Sequence, residues 1–167
     1  VEANVGSYFS WNWDFSIALD GAGNWLDQKL DEKEFLSAFL GELMRNKGVD
    51  VKKDIIARLG PGVFEVGDSG RAKDPTNPTG MRRIIGIQAK EQAKLAKALS
   101  LVTRDEDTIK DETVAGNPVR HAPDGEPLFT EPDADDPIDT KVVQAYAVTP
   151  TFSLLSTDVA WLRSKLA

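Results

Sequence analysis

The sequence contains no cysteine. Disulfides, thiolate metal sites and cysteine nucleophiles are thereby excluded, while the compartment is left open. Histidine is nearly absent as well, since His121 stands alone. Zinc prefers His and Cys ligands and is disfavoured, because one imidazole would have to work with carboxylates. Positive charge is in short supply: 20 Lys and Arg against 27 Asp and Glu leave a net charge of −7 and a pI near 4.8. Nucleic acid is not an expected partner, since phosphate binding relies on clustered Lys and Arg that release counterions. The basic residues here are dispersed along predicted helices, and an anionic membrane surface is disfavoured for the same reason. No apolar run approaches the ~20 residues of a membrane span. No basic, then apolar, then small-residue opening reads as a signal peptide. Val1 rather than Met opens the chain and both ends read as cut, so a processed piece of a longer protein is expected.

Some signatures are missing too. Gly21 and Gly23 look like the start of a phosphate loop, but position 26 is Leu26, and the third glycine of a dinucleotide fingerprint is absent. No Gly-x-Ser-x-Gly elbow is present. Asp14, Asp20, Glu65 and Asp68 are the carboxylates from which a glycosidase pair would be drawn, but nothing in their spacing places two of them ~5–9 Å apart.

The 167 residues suffice for one core that buries roughly 70% of the unfolded surface. One domain is expected. From Tyr8 to Ile17 the residues alternate with period two: Phe9, Trp11, Trp13 and Phe15 on one face, Ser10, Asn12, Asp14 and Ser16 on the other. This predicts a half-buried strand whose aromatic row packs in the core, in preference to a carbohydrate-stacking platform. Asp20 to Asn24 reads as a turn. Over Glu34–Lys47, Phe35, Leu36, Phe39, Leu40, Leu43 and Met44 form one apolar stripe, predicting a core-facing helix that stops at Gly48. Asp50 is placed to cap a shorter helix, 51–59.

Val63–Val66 and Arg82–Gln88 predict antiparallel strands joined by a polar loop. Gly86 marks a close approach of another backbone, or a bulge. A helix from about Lys90 to Val102 follows, with Ala89, Ala93 and Ala96 inward together with Leu95, Leu99 and Val102. Ile109–Ala115 and Pro118–Ala122 flank Gly116-Asn117, a hairpin or bulge signal. Residues 122–140 predict a long irregular loop, and 142–148 and 151–155 predict two strands. A last helix is capped from Ser156, Thr157 or Asp158, with Trp161 covering its flank.

Two places carry candidate chemistry. His121 is a candidate base or ligand, but a base needs an orienting partner and a nucleophile in reach, so an ordinary edge residue is the preferred reading. The acidic loop Glu131, Asp133, Asp135, Asp136 and Asp139 offers oxygen ligands to a hard cation such as calcium. The EF-hand register fails, because Ile138 stands at its glycine position and Pro137 where an acid belongs. A solvated loop is preferred, with weak calcium binding by Asp133, Asp135, Asp136 and Asp139 as the alternative.

The run Gly48-Val49-Asp50-Val51-Lys52-Lys53-Asp54-Ile55-Ile56-Ala57-Arg58-Leu59-Gly60, with the short strand after it, resembles part of an uncharacterised family of exported bacterial proteins, a domain of unknown function. So does the later series: strand and amphipathic helix, Val114-Ala115-Gly116-Asn117-Pro118-Val119, then Tyr146-Ala147-Val148 through Leu154-Leu155-Ser156 into a terminal helix. The resemblance runs from about residue 35 and lies in the order of elements. It implies an α+β fold, an extracytoplasmic location (periplasm or cell surface) and no assigned catalytic residue. The long acidic loop after His121 departs from the short connection expected there.

These readings predict a single α+β domain over 1–167. An antiparallel sheet is covered by helices on one face, in ferredoxin-like strand–helix–strand units. The expected role is a non-catalytic structural or protein-interaction module of an exported or membrane-anchored bacterial protein, with a protein partner and no cofactor. The alternative is a small-ligand or calcium-binding module using residues 131–139. A thermal melt separates the two. An occupied loop melts several degrees higher in millimolar calcium than in chelator, and a solvated loop does not shift.

Overall fold

The computed structural model describes residues 6–30, 34–68, 82–103, 107–123, 128 and 143–167. Its elements in order are β1 (Ser7–Asn12), α1 (Phe15–Leu30), α2 (Phe35–Lys47), β2 (Leu59–Asp68), β3 (Arg82–Ala89), α3 (Gln92–Val102), β4 (Lys110–Val114), β5 (Asn117–His121), β6 (Ala145–Val148), β7 (Phe152–Ser156) and α4 (Val159–Leu166). Between α2 and β2 the chain makes a wide π turn at Val51–Ile55 and a tighter turn at Ile56–Arg58. The fold is α+β, as the sequence predicts.

The seven strands form one sheet in the order β1-β2-β3-β7-β6-β5-β4. Every neighbouring pair is antiparallel. The sheet is thus two meanders, β1-β2-β3 and β4-β5-β6-β7, joined where β3 meets β7. The strand–helix–strand passage β3-α3-β4 spans three intervening strands, wider than a ferredoxin-like unit.

β6 sits at the centre of the core, with all four of its residues buried. Side chains alternate across a strand, so β6 serves two layers. Ala145 and Ala147 meet Ile84, Val119 and the α4 residues Val159, Trp161 and Leu162. Tyr146 and Val148 meet Leu95 of α3, with Ala89, Ala122 and Leu128. Helices are expected over one face; instead α3 and α4 divide between the two. The alanines explain the second site, since small residues let α4 approach the strand closely. Trp161, expected on the flank, is 6% exposed and lies in that layer. The Arg82 guanidinium stacks 5.3 Å over its ring and pairs with Asp68.

The expected strand over residues 8–17 ends early. Asp14 accepts hydrogen bonds from the N–H groups of Ser16 and Ile17 at 3.0 and 3.1 Å, and so starts α1. The expected turn at residues 20–24 lies inside α1. Gly23 is there for contact: a Cβ on it would stand 3.3 Å from Leu36 of α2. Asp27 then caps the next helix, accepting from the N–H groups of Glu34 and Phe35 at 3.0 Å each. Gly86 does mark a close approach, but by a side chain rather than a backbone. The ring of Phe64 lies across it, where a Cβ would collide with the ring carbons.

The β4–β5 turn falls one residue earlier than Gly116-Asn117. Val114 pairs with Asn117, leaving Ala115 and Gly116 at the turn with φ of 48° and 81°. Proline is the reason. A turn at Gly116-Asn117 would close on Pro118, which has no N–H to give; in the observed register Pro118 faces Thr113 at a position that needs none. Two positive φ values define a type I′ turn, where Asn-Gly is favoured and alanine is strained. Ala115→Asn is expected to stabilise the protein by about 0.5–1 kcal/mol, read as a higher denaturation midpoint at unchanged slope.

Candidate functional site

Two surfaces stand out, one polar and one apolar. The polar one is an open cleft of about 620 Å³ where β4, β5 and α4 meet, walled by Lys110, Asp111, Glu112, His121 and Arg163 with Val159 beneath. Register creates it. Glu112 faces Val119 and Lys110 faces His121, so Glu112, Lys110 and His121 share one face. α4 lies on that face and delivers Arg163. The Arg163 Nε donates to Glu112 Oε1 at 2.6 Å, and its Nη2 stands 3.1 Å from His121 Nε2.

His121 is 8% exposed, not the surface edge residue expected. Its Nδ1 lies 3.0 Å from the Ala122 carbonyl, so that nitrogen carries the proton and Nε2 accepts from Arg163. Both ring nitrogens are engaged, and Glu112 Oε1 is 3.7 Å from Nε2. The Arg163 hydrogen bond and charge hold the Glu112 carboxyl below its ordinary range, against a smaller opposing effect of burial. The described wall carries no hydroxyl or thiol nucleophile. The cluster is an internally paired clamp that fastens α4 to β4 and β5. Deeper in the core, burial pushes the Tyr146 phenol above its ordinary value, so it stays neutral.

The other sequence candidates do not converge. Asp14 caps α1, Asp20 binds Lys52 at 3.0 Å, Glu65 lies 3.7 Å from Arg83, and Asp68 pairs with Arg82. Asp133, Asp135, Asp136 and Asp139, with Glu131, lie outside the described residues. Among the described residues, no group of three or more His, Asp or Glu is placed to hold a metal.

The apolar surface is made by β1, α1 and α2. Neither helix has a buried residue. The α2 stripe predicted as core is half open: Leu36, Leu40 and Leu43 are partly covered, while Phe35, Phe39 and Met44 are exposed, the last two by 50% and 51%. On α1, Ile17 is 71% exposed and Trp25 44%. The aromatic row predicted to pack in the core is open as well, with Phe9 59% and Trp13 50% exposed. The ring planes of Trp13 and Phe15 stack on one another at 6.2 Å. Period two and period 3.6 identify which residues share a face. They do not say whether anything covers that face, and this is the signal sequence reading missed. The Glu112–Arg163 clamp had no local signal at all, since its partners lie in distant elements.

Compared with protein-family models, curated proteins and solved structures, the chain matches none.

Glu112 gives a testable pH dependence. Its carboxyl is lowered in the folded state, so its contribution is present above the unfolded value, ~4.3, and is lost as pH falls through the folded one. The pair is partly solvent-screened, so Glu112→Gln is expected to cost about 0.5–1 kcal/mol at pH 7. The gap to wild type should begin to narrow as pH falls below the unfolded value of ~4.3 and close once pH is below the folded one, read in denaturant titrations.

Proposed function

We propose that this chain is a non-catalytic protein-interaction module that docks partner protein on the apolar surface of β1, α1 and α2. One observation carries the reading. Among the described residues, every large exposed apolar side chain except Leu101 lies between Tyr8 and Met44. Scattered surface apolars are ordinary, but their concentration on one part of a molecule marks a contact site. The aromatic content of this part, Tyr8, Phe9, Trp11, Trp13, Trp25, Phe35 and Phe39, is what protein interfaces favour. The clamp at His121 speaks against a catalytic reading of the polar cleft, because its acid, base and cation satisfy one another. No helix among the described residues is long and apolar enough to cross a membrane. The setting in an exported or membrane-anchored bacterial protein, outside the cytoplasm, rests on the resemblance of residues 48–60 and of the series from Val114 to the last helix.

The test is a pair of substitutions, one on the exposed face of each helix. Ile17→Glu and Phe39→Glu should each change folding stability by no more than about 0.5 kcal/mol, as expected for surface positions. A photo-crosslinking residue at Phe39, introduced into the protein in its own cells, should form a protein adduct that Ile17→Glu removes. Destabilisation by ~2–5 kcal/mol would mean that the chain covers this face itself. Together with the absence of any adduct, it would refute the reading.

A further inference from the structure

We propose that the chain self-associates through β1, whose outer edge pairs antiparallel with β1 of a second copy about a two-fold axis at Ser10. The proposal rests on the interaction reading above and names the partner for one part of that surface. β1 is the outermost strand of the sheet, and among the described strands only β2 pairs with it.

Backbone geometry says what the edge offers. The Trp13 N–H donates to the Pro61 carbonyl at 2.7 Å, continuing the register in which Asn12 faces Gly62 and Trp11 faces Val63. In an antiparallel ladder bonded positions alternate. Phe9 and Trp11 therefore turn their N–H and C=O groups toward β2, and Tyr8, Ser10 and Asn12 turn theirs outward. Sheet edges are normally blunted by lysine, proline, a bulge or a covering element. The sequence Ser7-Tyr8-Phe9-Ser10-Trp11-Asn12 has no charge and no proline, and its pairing with β2 runs without a register shift.

Self-complementarity selects the second copy over an unrelated peptide. With the axis at Ser10, each outward-facing residue finds a bonded partner: Ser10 opposite its own copy, and Tyr8 opposite Asn12. The intervening pair is Phe9 opposite Trp11, made twice. It falls at the non-bonded position, where Cα atoms approach to ~4.5 Å and aromatic side chains touch. Tyr8, Phe9, Trp11 and Trp13 are 51%, 59%, 37% and 50% exposed. An aromatic side chain presents roughly 200 Å², so these four expose about 400 Å² per copy. Two copies together thus offer about 800 Å² of aromatic surface, and with the paired backbone the area on offer is that of the ~1,000 Å² that separates a specific contact from a chance one. Each copy carries a net charge of −7, so two copies repel. An uncharged strand is where that repulsion costs least, and added salt should strengthen the dimer by screening it.

Sedimentation equilibrium on the full chain, up to roughly 100 μM, is the experiment. The expected mass rises with concentration from 18.3 kDa toward twice that value, and more readily at high salt. Amide exchange at Tyr8, Ser10 and Asn12 should slow in the dimer, while Phe9 and Trp11 stay protected in either state. Ser10→Lys sets two like charges against each other at the axis and should weaken association at least tenfold, leaving the far-UV spectrum and the melt of the dilute monomer unchanged. Ser10→Pro is the second variant. It deletes an outward N–H that the monomer does not use, and edge strands tolerate it. A wild-type chain that stays monomeric overturns the proposal, as does a dimer with unprotected Tyr8 and Asn12 or one indifferent to both variants. None of these outcomes touches the crosslink at Phe39. Failure of the β1 pairing is therefore distinguishable from failure of the wider interaction reading.

Discussion

The double burial of β6 is the constraint from which the rest of the architecture follows. Four residues, none more than 2% exposed, have to satisfy two layers at once. A strand buried on both sides cannot turn either face to water, so each face requires its own helix. The choice of side chains sets the spacing of those helices. Ala145 and Ala147 let α4 come down close, and Tyr146 and Val148 fill the wider gap under α3. The polar clamp of Glu112, His121 and Arg163 follows from the same packing, since α4 in that position carries Arg163 over the register pair Lys110–His121.

The N-terminal segment through α2 has no equivalent. β1, α1 and α2 are tied down by polar contacts and caps: Asp14 on α1, Asp27 on α2, Lys52 on Asp20. Their apolar faces are only partly covered. A protein of this size gains most of its stability from apolar burial, and here that gain is concentrated around β6. The uncovered part carries aromatic side chains with little conformational entropy to lose on contact, which suits a surface that must be dry only when occupied.

How legible this was depended on the range of the signal. α2, α3, β3, β5, β7 and α4 form where their local patterns put them, because period and capping act over a few residues; on α3, however, Ala93, expected inward, is exposed and Ala98 is buried instead. Asp158 caps the last helix by accepting from the Trp161 N–H at 2.7 Å, one of the three caps expected there. α1 was hidden by two local signals that mislead together: an aromatic alternation that runs on past Asn12 into the helix, and two glycines that read as a turn. The second is explained only by the contact of Gly23 with Leu36. The hairpin slip at Ala115 was legible in principle, since a proline cannot close a turn as a donor. The division of helices between two faces was not. It depends on which strands become neighbours, and no residue of β3 announces β7 as its partner. The candidate chemistry split in the same way: the loop with Asp133, Asp135, Asp136 and Asp139 has a compositional signal and lies outside the described residues, whereas the clamp has geometry, and of its three members only the lone His121 had a signal.

The seam between the two meanders has a consequence for the order in which the sheet is built. Ile84 of β3 faces Ser156 of β7, roughly 70 positions further along the chain. At 5–20 residues per second, a ribosome releases the second partner about 4–14 s after the first. For most of that interval the inner edge of β3 waits without β7, and β6 emerges only near its end. The nascent chain is therefore most exposed to mispairing between the emergence of β3 and that of β7. The last strand to emerge seals the gap between halves that have waited for it.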